Sequence, residues 1–456
     1  MTIKAIINAS KYERWNQLLT LLMRLVVGGV FVFSGFTKAV DPWGTSYKIA
    51  DYLTAMGLVE WTGTALFIAV ALAAIEFMLG ITIVVGAYRR SALWLALILM
   101  LVMTPLTLWL AVTDAVPDCG CFGDALHLSN WATLGKNVLL LLGILYLLPF
   151  NTSLRSIYGP AVQWMVMAAS FAFVMAVAYY GYFTQPLIDY RPYPVGTRLA
   201  NTIMVTGGDE DEDDFIFVYS REGEEREFTL DNLPDEEDGW EFVTRYHARR
   251  PHGKVIVQNG NIDNGIAILD EDGNDISVDV LSGSRQKLLL LFPDLPQVGV
   301  VNSYAINELT DAAFVNGTDV VGLASASPDE IAQWKDISMA SYPIHIMDDS
   351  ELKMVARGNP AVVYLEDGVI NWKRTLTSLD GVTMPDNFAE LATDYDADAI
   401  MSRLMLAYLA CLLVVLLLNR SHLVLRRLFS RKKADSQDSS VPVITEEYPK
   451  QETDNK

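Results

Sequence analysis

Two cysteines stand one residue apart in Asp118-Cys119-Gly120-Cys121-Phe122-Gly123-Asp124, in a chain of 456 residues whose other cysteine is Cys411. A disulfide closed through a single glycine makes a very small ring, and a strained bridge is easier to reduce than a long-range structural one. Such a pair suits thiol-disulfide exchange. The same residues can also be two unrelated thiols at a surface, a static bond that shapes its loop, or half of a metal site, although His127 is the sole histidine nearby and falls short of a structural zinc ligand set. Exchange needs thiolate, which positive charge favours. Lys38 and Lys136 can reach the level of the loop and would help, whereas Asp118 and Asp124 act against ionisation. Snorkelling to the lipid boundary is the plain alternative for both lysines.

Two further charges, Arg24 and Glu76, lie inside apolar runs. Ionisable groups in a bilayer are expensive and are usually paired or functional. Counted from the margins of their runs, both sit about 14 Å from the inner edge at a rise of about 1.5 Å per residue. An Arg24 to Glu76 ion pair is therefore expected, either locking two helices together or lining a proton path or a polar site for a quinone head group.

The elements that position these residues are membrane spans. Hydrophobic residues make up 51% of the chain while the net charge is -21, so the two properties must be segregated. Six runs are long enough to cross a bilayer: about Trp15 to Phe36, Gly63 to Ala87, Ala92 to Val112, Trp131 to Phe150, Val162 to Phe183 and Ile400 to Leu418. Residues 184–399 carry 41 Asp plus Glu against 15 Lys plus Arg, hence -26, and the rest of the chain is slightly basic. The basic residues Lys4, Lys11, Arg14, Arg89, Arg90, Arg155 and the cluster from Arg420 to Lys433 all fall on one side, which marks the cytoplasm. Both termini are then cytoplasmic, in a bacterial inner membrane, and the Cys-Gly-Cys loop and the acidic segment face an oxidising exterior.

Arg24-Leu25, Ser34-Gly35-Phe36-Thr37-Lys38, Glu76 with Gly80 and Gly86, the Asp118 to Asp124 loop, Ser129-Asn130-Trp131 and Lys136-Asn137 together resemble the DoxX-like membrane proteins. Within that group the chain is similar to the branch of the methylamine-utilisation protein MauE and to long DoxX proteins of Bacteroidetes that carry an outward domain. The resemblance covers about Leu18 to Phe150. It implies a four-helix bundle and a part in maturing an exported, disulfide-containing protein.

The acidic segment opens with Asp189 to Gly196, DYRPYPVG, whose prolines favour a rigid, extended exit. A hairpin follows, Phe215 to Tyr219 and Glu227 to Leu230 with a turn at Arg221-Glu222-Gly223. The acidic run Asp209 to Asp214 reads as a solvated loop. Further on come strand Ile266 to Leu269, strand Lys287 to Phe292, helix Ser303 to Phe314, strand Asp319 to Leu323, helix Ser327 to Ile337, strand Ile344 to Met347, helix Ser350 to Arg357 and a hairpin Ala361 to Trp372 turning at Asp367-Gly368. This order, with Asn359-Pro360 before the hairpin, resembles the thioredoxin-like fold of the TlpA and peroxiredoxin group, and Pro360 stands where that fold has its cis-proline. The turn after its first core strand, Phe292 to Gly299, carries no cysteine, so the domain cannot do thiol chemistry itself. Cys411, in mid-span, reads as a buried apolar residue.

The expected architecture is an α-helical transmembrane bundle with a periplasmic α/β thioredoxin-like domain: a DoxX/MauE-like unit over 1–150, a fifth span over 151–187, an acidic β-rich segment over 188–254, the thioredoxin-like domain over 255–398, a sixth span over 399–420 and a cytoplasmic tail over 421–456. Cys119 and Cys121 would exchange disulfides with an exported client docked on that domain, with a membrane quinone as candidate electron acceptor. Two other readings compete: a membrane scaffold whose Cys-Gly-Cys loop is architectural, and a transporter of small solutes. No phosphate loop, catalytic triad or His-Glu metal pattern is present, and the pI of about 4.6 argues against nucleic acid.

Overall fold

A computed structural model describes residues 3–116, 120–199, 215–221, 224–229, 240–247, 257–258, 261–262, 266–281, 286–380, 387–392 and 395–438. Asp118, Cys119 and the acidic run Asp209 to Asp214 lie outside them.

Helices α1 (Ile3–Val40), α2 (Pro42–Ala55), α3 (Ala65–Val85), α4 (Arg89–Thr113), α5 (Asn130–Phe150) and α6 (Gln163–Phe183) form the first part of the chain, and α11 (Ala397–Asp438) closes it. All but α2 carry a stretch long and apolar enough to cross a membrane, six in total. The antiparallel pair α1 and α3 is the spine. Val27, Phe31, Leu79 and Ile83 of that pair pack with Leu93, Ala96, Leu140 and Ile144 of α4 and α5 on one flank. Ala73 and Phe77 pack with Phe173 and Val174 of α6 and Tyr408 of α11 on the other. Glycines set the approach of the spine helices, as small residues do in membranes. A Cβ on Gly28 would lie 2.6 Å from Val84 Cγ2, and one on Gly35 would lie 2.6 Å from the Ala73 carbonyl oxygen. The segment after α1, where the sequence reading places no element, contains α2. Pro42 begins this helix and Asp41 caps it, its carboxylate accepting from the Gly44 amide at 2.8 Å.

Past α6 a three-stranded antiparallel sheet forms from β1 (Phe215–Arg221), β2 (Glu224–Thr229) and β3 (Glu241–His247), in the order β2-β1-β3. Its first two strands are the expected hairpin; the third had no alternating apolar pattern strong enough to read. A two-residue ladder, β4 (Val257–Gln258) with β5 (Asn261–Ile262), follows.

The main domain contains β6 (Ile268–Leu269), α7 (Ser277–Leu281), β7 (Lys287–Phe292), α8 (Val300–Val315), β8 (Asp319–Ala324), α9 (Pro328–Ser338), β9 (Ile344–Met347), α10 (Asp349–Val355), β10 (Ala361–Glu366) and β11 (Val369–Thr375). Its mixed sheet runs β11-β10-β7-β8-β9-β6, with β7, β8 and β9 parallel. Strands such as Lys-Leu-Leu-Leu-Leu-Phe in β7 are apolar after their first residue because both faces are covered. One face packs Leu288, Leu290 and Phe292 against Ile306 and Leu309 of α8 and Trp334 of α9. The other packs Leu289 and Leu291 against Leu352 and Val355 of α10 and against Tyr193 and Leu199 of the segment leaving α6. That segment also pairs with β11: Leu199 donates to the Gly368 carbonyl at 2.9 Å and Ile370 donates to that of Thr197 at 2.9 Å, so the outer edge of the sheet is covered. Ser327 and Glu330 form a capping box that starts α9, and the Asn359-Pro360 peptide is cis.

The end of the sheet formed by the last residues of β7 and β11 and the first of β10 rests on the membrane helices. In one row across the sheet, Leu291 faces Ala361 and Ala361 faces Thr375. The Thr375 hydroxyl donates to the Phe183 carbonyl at the end of α6, and its amide donates to that of Thr184 at 3.2 Å.

Candidate functional site

The described part of the cysteine loop, 120–125, is wedged between this foot of the sheet domain and the end of α1. Gly120 has φ of +61°, which favours glycine, and a Cβ there would lie 3.0 Å from Lys48 Cγ of α2. The spacing between the cysteines thus needs a glycine. At Cys121 the backbone carbonyl is held from below: the Lys38 ammonium donates to it at 2.8 Å, to Glu76 Oε2 at 2.6 Å and to Ser34 Oγ at 2.7 Å. All three Lys38 donors are engaged, in a setting where the Lys38 and Glu76 side chains are buried. Ser34 Oγ stands 2.7 Å from Glu76 Oε2 and 2.6 Å from the Cys121 carbonyl, and its single proton satisfies one of them. Phe122 is buried against Phe33, ring centroids 5.3 Å apart, and Lys136 Nζ lies 4.4 Å above its ring. Cys121 itself is half-buried.

Asp124 is held from above. Its carboxylate accepts from Arg357, whose guanidinium also pairs with Asp41 at 2.7 Å and donates to the Lys353 carbonyl at 2.6 Å. Burial works against the charge of Arg357, but the carboxylates of Asp41 and Asp124 outweigh it and hold the guanidinium above its ordinary pKa. The Arg357 backbone is fixed in turn by Gln185, which donates to its carbonyl at 2.7 Å and accepts from its amide at 3.0 Å. Gln185 Oε1 further accepts from Arg191, which pairs with Asp189, and Asp189 pairs with Lys373 on β11 at 2.7 Å. Burial, and then the nearby Arg191, push the Lys373 ammonium down to about 7 against the opposing pull of Asp189, whose own carboxyl is held down at about 2 by Arg191 and Lys373 despite burial. A chain of buried polar contacts therefore links β11, the segment leaving α6, the turn before Pro360 and the cysteine loop.

The expected Arg24 to Glu76 pair does not form. Arg24 Nε donates to Asn151 Oδ1 at 2.9 Å and Nη2 donates to the Asn151 carbonyl at 2.6 Å, beside Gly86 at the far end of α3, while Glu76 pairs with Lys38. The depth estimate fails because α1 has 38 residues, about 57 Å of helix at about 1.5 Å per residue, nearly twice a hydrocarbon core. Its apolar margin is no ruler for its neighbour. Glycine contacts fix the register instead, setting Gly28 beside Gly80 and Gly35 beside Phe77, which brings Lys38 rather than Arg24 to the level of Glu76. Cys411 also departs from expectation, being exposed on α11 rather than buried.

Of the residues singled out from sequence, Lys38, Glu76, Cys121, Asp124 and Lys136 gather at one place, and Arg24 stands apart. Sequence reasoning missed Ser34, Asp41 and Arg357 as members. No local pattern marks Arg357, whose partners are 316 and 233 residues away.

Fold and site together define a multi-pass membrane protein that carries a mixed-sheet domain docked at one end of its helices. Residues 16–149 match the family model described as methylamine utilisation protein MauE, so the first four spans form a MauE-like unit. Residues 214–248, which contain β1 to β3, match a domain of unknown function. No curated protein matches the chain.

Proposed function

We infer that the chain is a thiol-disulfide exchange component of the bacterial inner membrane that matures exported proteins through Cys119 and Cys121. The carrying observation is the double clamp on the cysteine loop. The Lys38 ammonium sits on the Cys121 carbonyl while Arg357 engages Asp124, the acidic residue that follows the cysteines. Lys136, over the Phe122 ring, adds a further cation beside the loop, and positive charge favours thiolate. In the exchange, one thiolate attacks a client disulfide and forms a mixed disulfide; the second cysteine then displaces the client thiolate. The loop leaves oxidised and the client reduced, or the reverse when the loop begins oxidised. Where the loop begins oxidised and so leaves reduced, a membrane quinone is the candidate acceptor for the two electrons that return the pair to the disulfide.

The sheet domain we read as thioredoxin-like without its cysteines. The parallel β7 and β8, the antiparallel β10–β11 hairpin and the cis Asn359-Pro360 peptide support this, as does the apposition of Asp294 and Asn359 at the corresponding turn. Its place over the loop suits it to present a client there. Both termini are cytoplasmic in this reading, and the sheet domain is periplasmic. The competing scaffold reading draws on the same clamp, which also serves to join two units.

Maleimide-polyethylene-glycol gel shifts on intact cells, in a Cys411→Ala background, test this reading. A pair that cycles under mild oxidant and reductant, and a mixed disulfide trapped by Cys119→Ser or Cys121→Ser, are expected. A pair locked in one state throughout, with client binding intact in both serine variants, would establish the scaffold instead.

A further inference from the structure

The first turn of α8 displays an apolar surface that none of the described contacts covers. Val300, Val301 and Tyr304 are 58%, 89% and 77% exposed. Polar residues belong at such a position on a solvated domain, and a cluster of large apolar ones on an exposed turn marks an interaction surface. Topology decides what lies opposite. The end of β7 belongs to the row Leu291, Ala361, Thr375, two strands over from Thr375, which bonds to the end of α6. Strands lie about 4.8 Å apart, so the end of β7 is about 10 Å along the sheet from that membrane-helix terminus. The chain leaving β7 passes beyond this row, toward the membrane helices, before α8 begins. Asp294 in that connection accepts from Asn359 Nδ2 at 2.6 Å, two residues from Arg357, which is itself bonded to Asp41 just past the end of α1. The α8 turn therefore stands on the same foot as the domain's attachment to its own spans, where the boundary of the bilayer continues outward from the helix ends.

We propose that Val300, Val301 and Tyr304 enter the boundary between lipid head groups and acyl chains beside the spans, anchoring the sheet domain to lipid as well as to protein. Tyrosine suits that depth, with an apolar ring and a polar tip. No Lys or Arg occurs between Asp294 and Asp311, so the attachment is apolar rather than a recognition of anionic head groups. It does not depend on the thiol chemistry, since it concerns how the domain is held and not what the loop does.

The test is site-specific photocrosslinking of the full-length protein in its native membrane, with p-benzoylphenylalanine at position 301 or 304, followed by mass spectrometry of the adducts. Val315 supplies the control: it is 87% exposed, on the same helix, but fourteen residues on, about 21 Å farther from the membrane end at about 1.5 Å per residue. Phospholipid adducts at 301 and 304, several-fold above those at 315 and unchanged in high salt, are expected. Equal lipid labelling at all three positions overturns the proposal, as does polypeptide crosslinking at 301 and 304 in place of lipid, which would assign the turn to a protein partner.

Discussion

Replacing Lys38 by Met removes the charge that compensates Glu76 in the bundle and all three hydrogen bonds of the ammonium, those to Glu76, Ser34 and the Cys121 carbonyl. The bonds of the ammonium are charge-assisted, and their loss is one part of the cost. The other part is the stranded carboxylate: breaking a buried pair from one side costs about 3–5 kcal/mol. At about 1.4 kcal/mol per decade, that shifts the folded-to-unfolded ratio by two to four orders of magnitude. Changing Glu76 to Gln as well removes the stranded charge and keeps a partner for Ser34, so the double variant should recover most of the loss, with a coupling of at least about 2 kcal/mol. SDS-titrated unfolding of the purified protein, followed by far-ultraviolet circular dichroism, measures all four corners of the cycle. The companion cycle on Arg24→Met and Glu76→Gln should be additive, because Arg24 bonds Asn151 at the other end of α3. Additivity in the Lys38 cycle together with coupling in the Arg24 cycle would refute the helix register on which the site is built.

Arg357→Met should release the cysteine loop by stranding Asp41 and Asp124, at a cost of about 3–5 kcal/mol, seen as faster hydrogen exchange across 120–125; unchanged protection would dissolve the clamp. The folded-state pKa of Lys373, about 7, lies below its ordinary 10.5, so between those values the unfolded chain holds the extra proton and stability should rise with pH by up to about 1.4 kcal/mol per unit. The penalty is fully present below pH 7, and Lys373→Met should flatten the slope in thermal melts read from pH 7 to 9. The Asp189 carboxyl, lowered from 3.8 to about 2, works in the opposite range, and its contribution fades as pH falls from the first value through the second. Gly35→Ala drives a methyl into the backbone of Ala73 and Phe77 and should abolish assembly of the spine, whereas Gly29→Ala, with nothing within 4 Å, should express and fold normally.

Hydropathy made the spans legible, and alternation of apolar and turn residues located β7 to β11 within three residues, because both signals are local. The membrane charges illustrate the limit. Each was recognisable as costly from sequence, but the choice of partner depends on the offset between two helices, which small glycine contacts set and apolar margins do not record. Arg357 marks a second limit: a single arginine before a Gly-Asn-Pro turn carries no mark of the two carboxylates it joins. Asp41 could have been read as a helix cap from Asp-Pro alone, and α2 with it, had the segment between the first two spans been treated as more than a connector.

The ion network at the foot of the sheet domain has a lopsided composition. The segment after α6 and the sheet domain contribute Arg191, Arg357 and Lys373 against Asp189, and the membrane unit contributes Asp41 and Asp124. The most acidic stretch of the chain, -26 over residues 184–399, thus meets its membrane helices through a basic sole. Buried in the intact protein, that sole is beyond the reach of screening salt. A soluble fragment cut free of the helices would lay it bare on an otherwise acidic body, with the polarity to attract further copies of itself. The membrane unit thereby covers a basic face of an otherwise acidic domain.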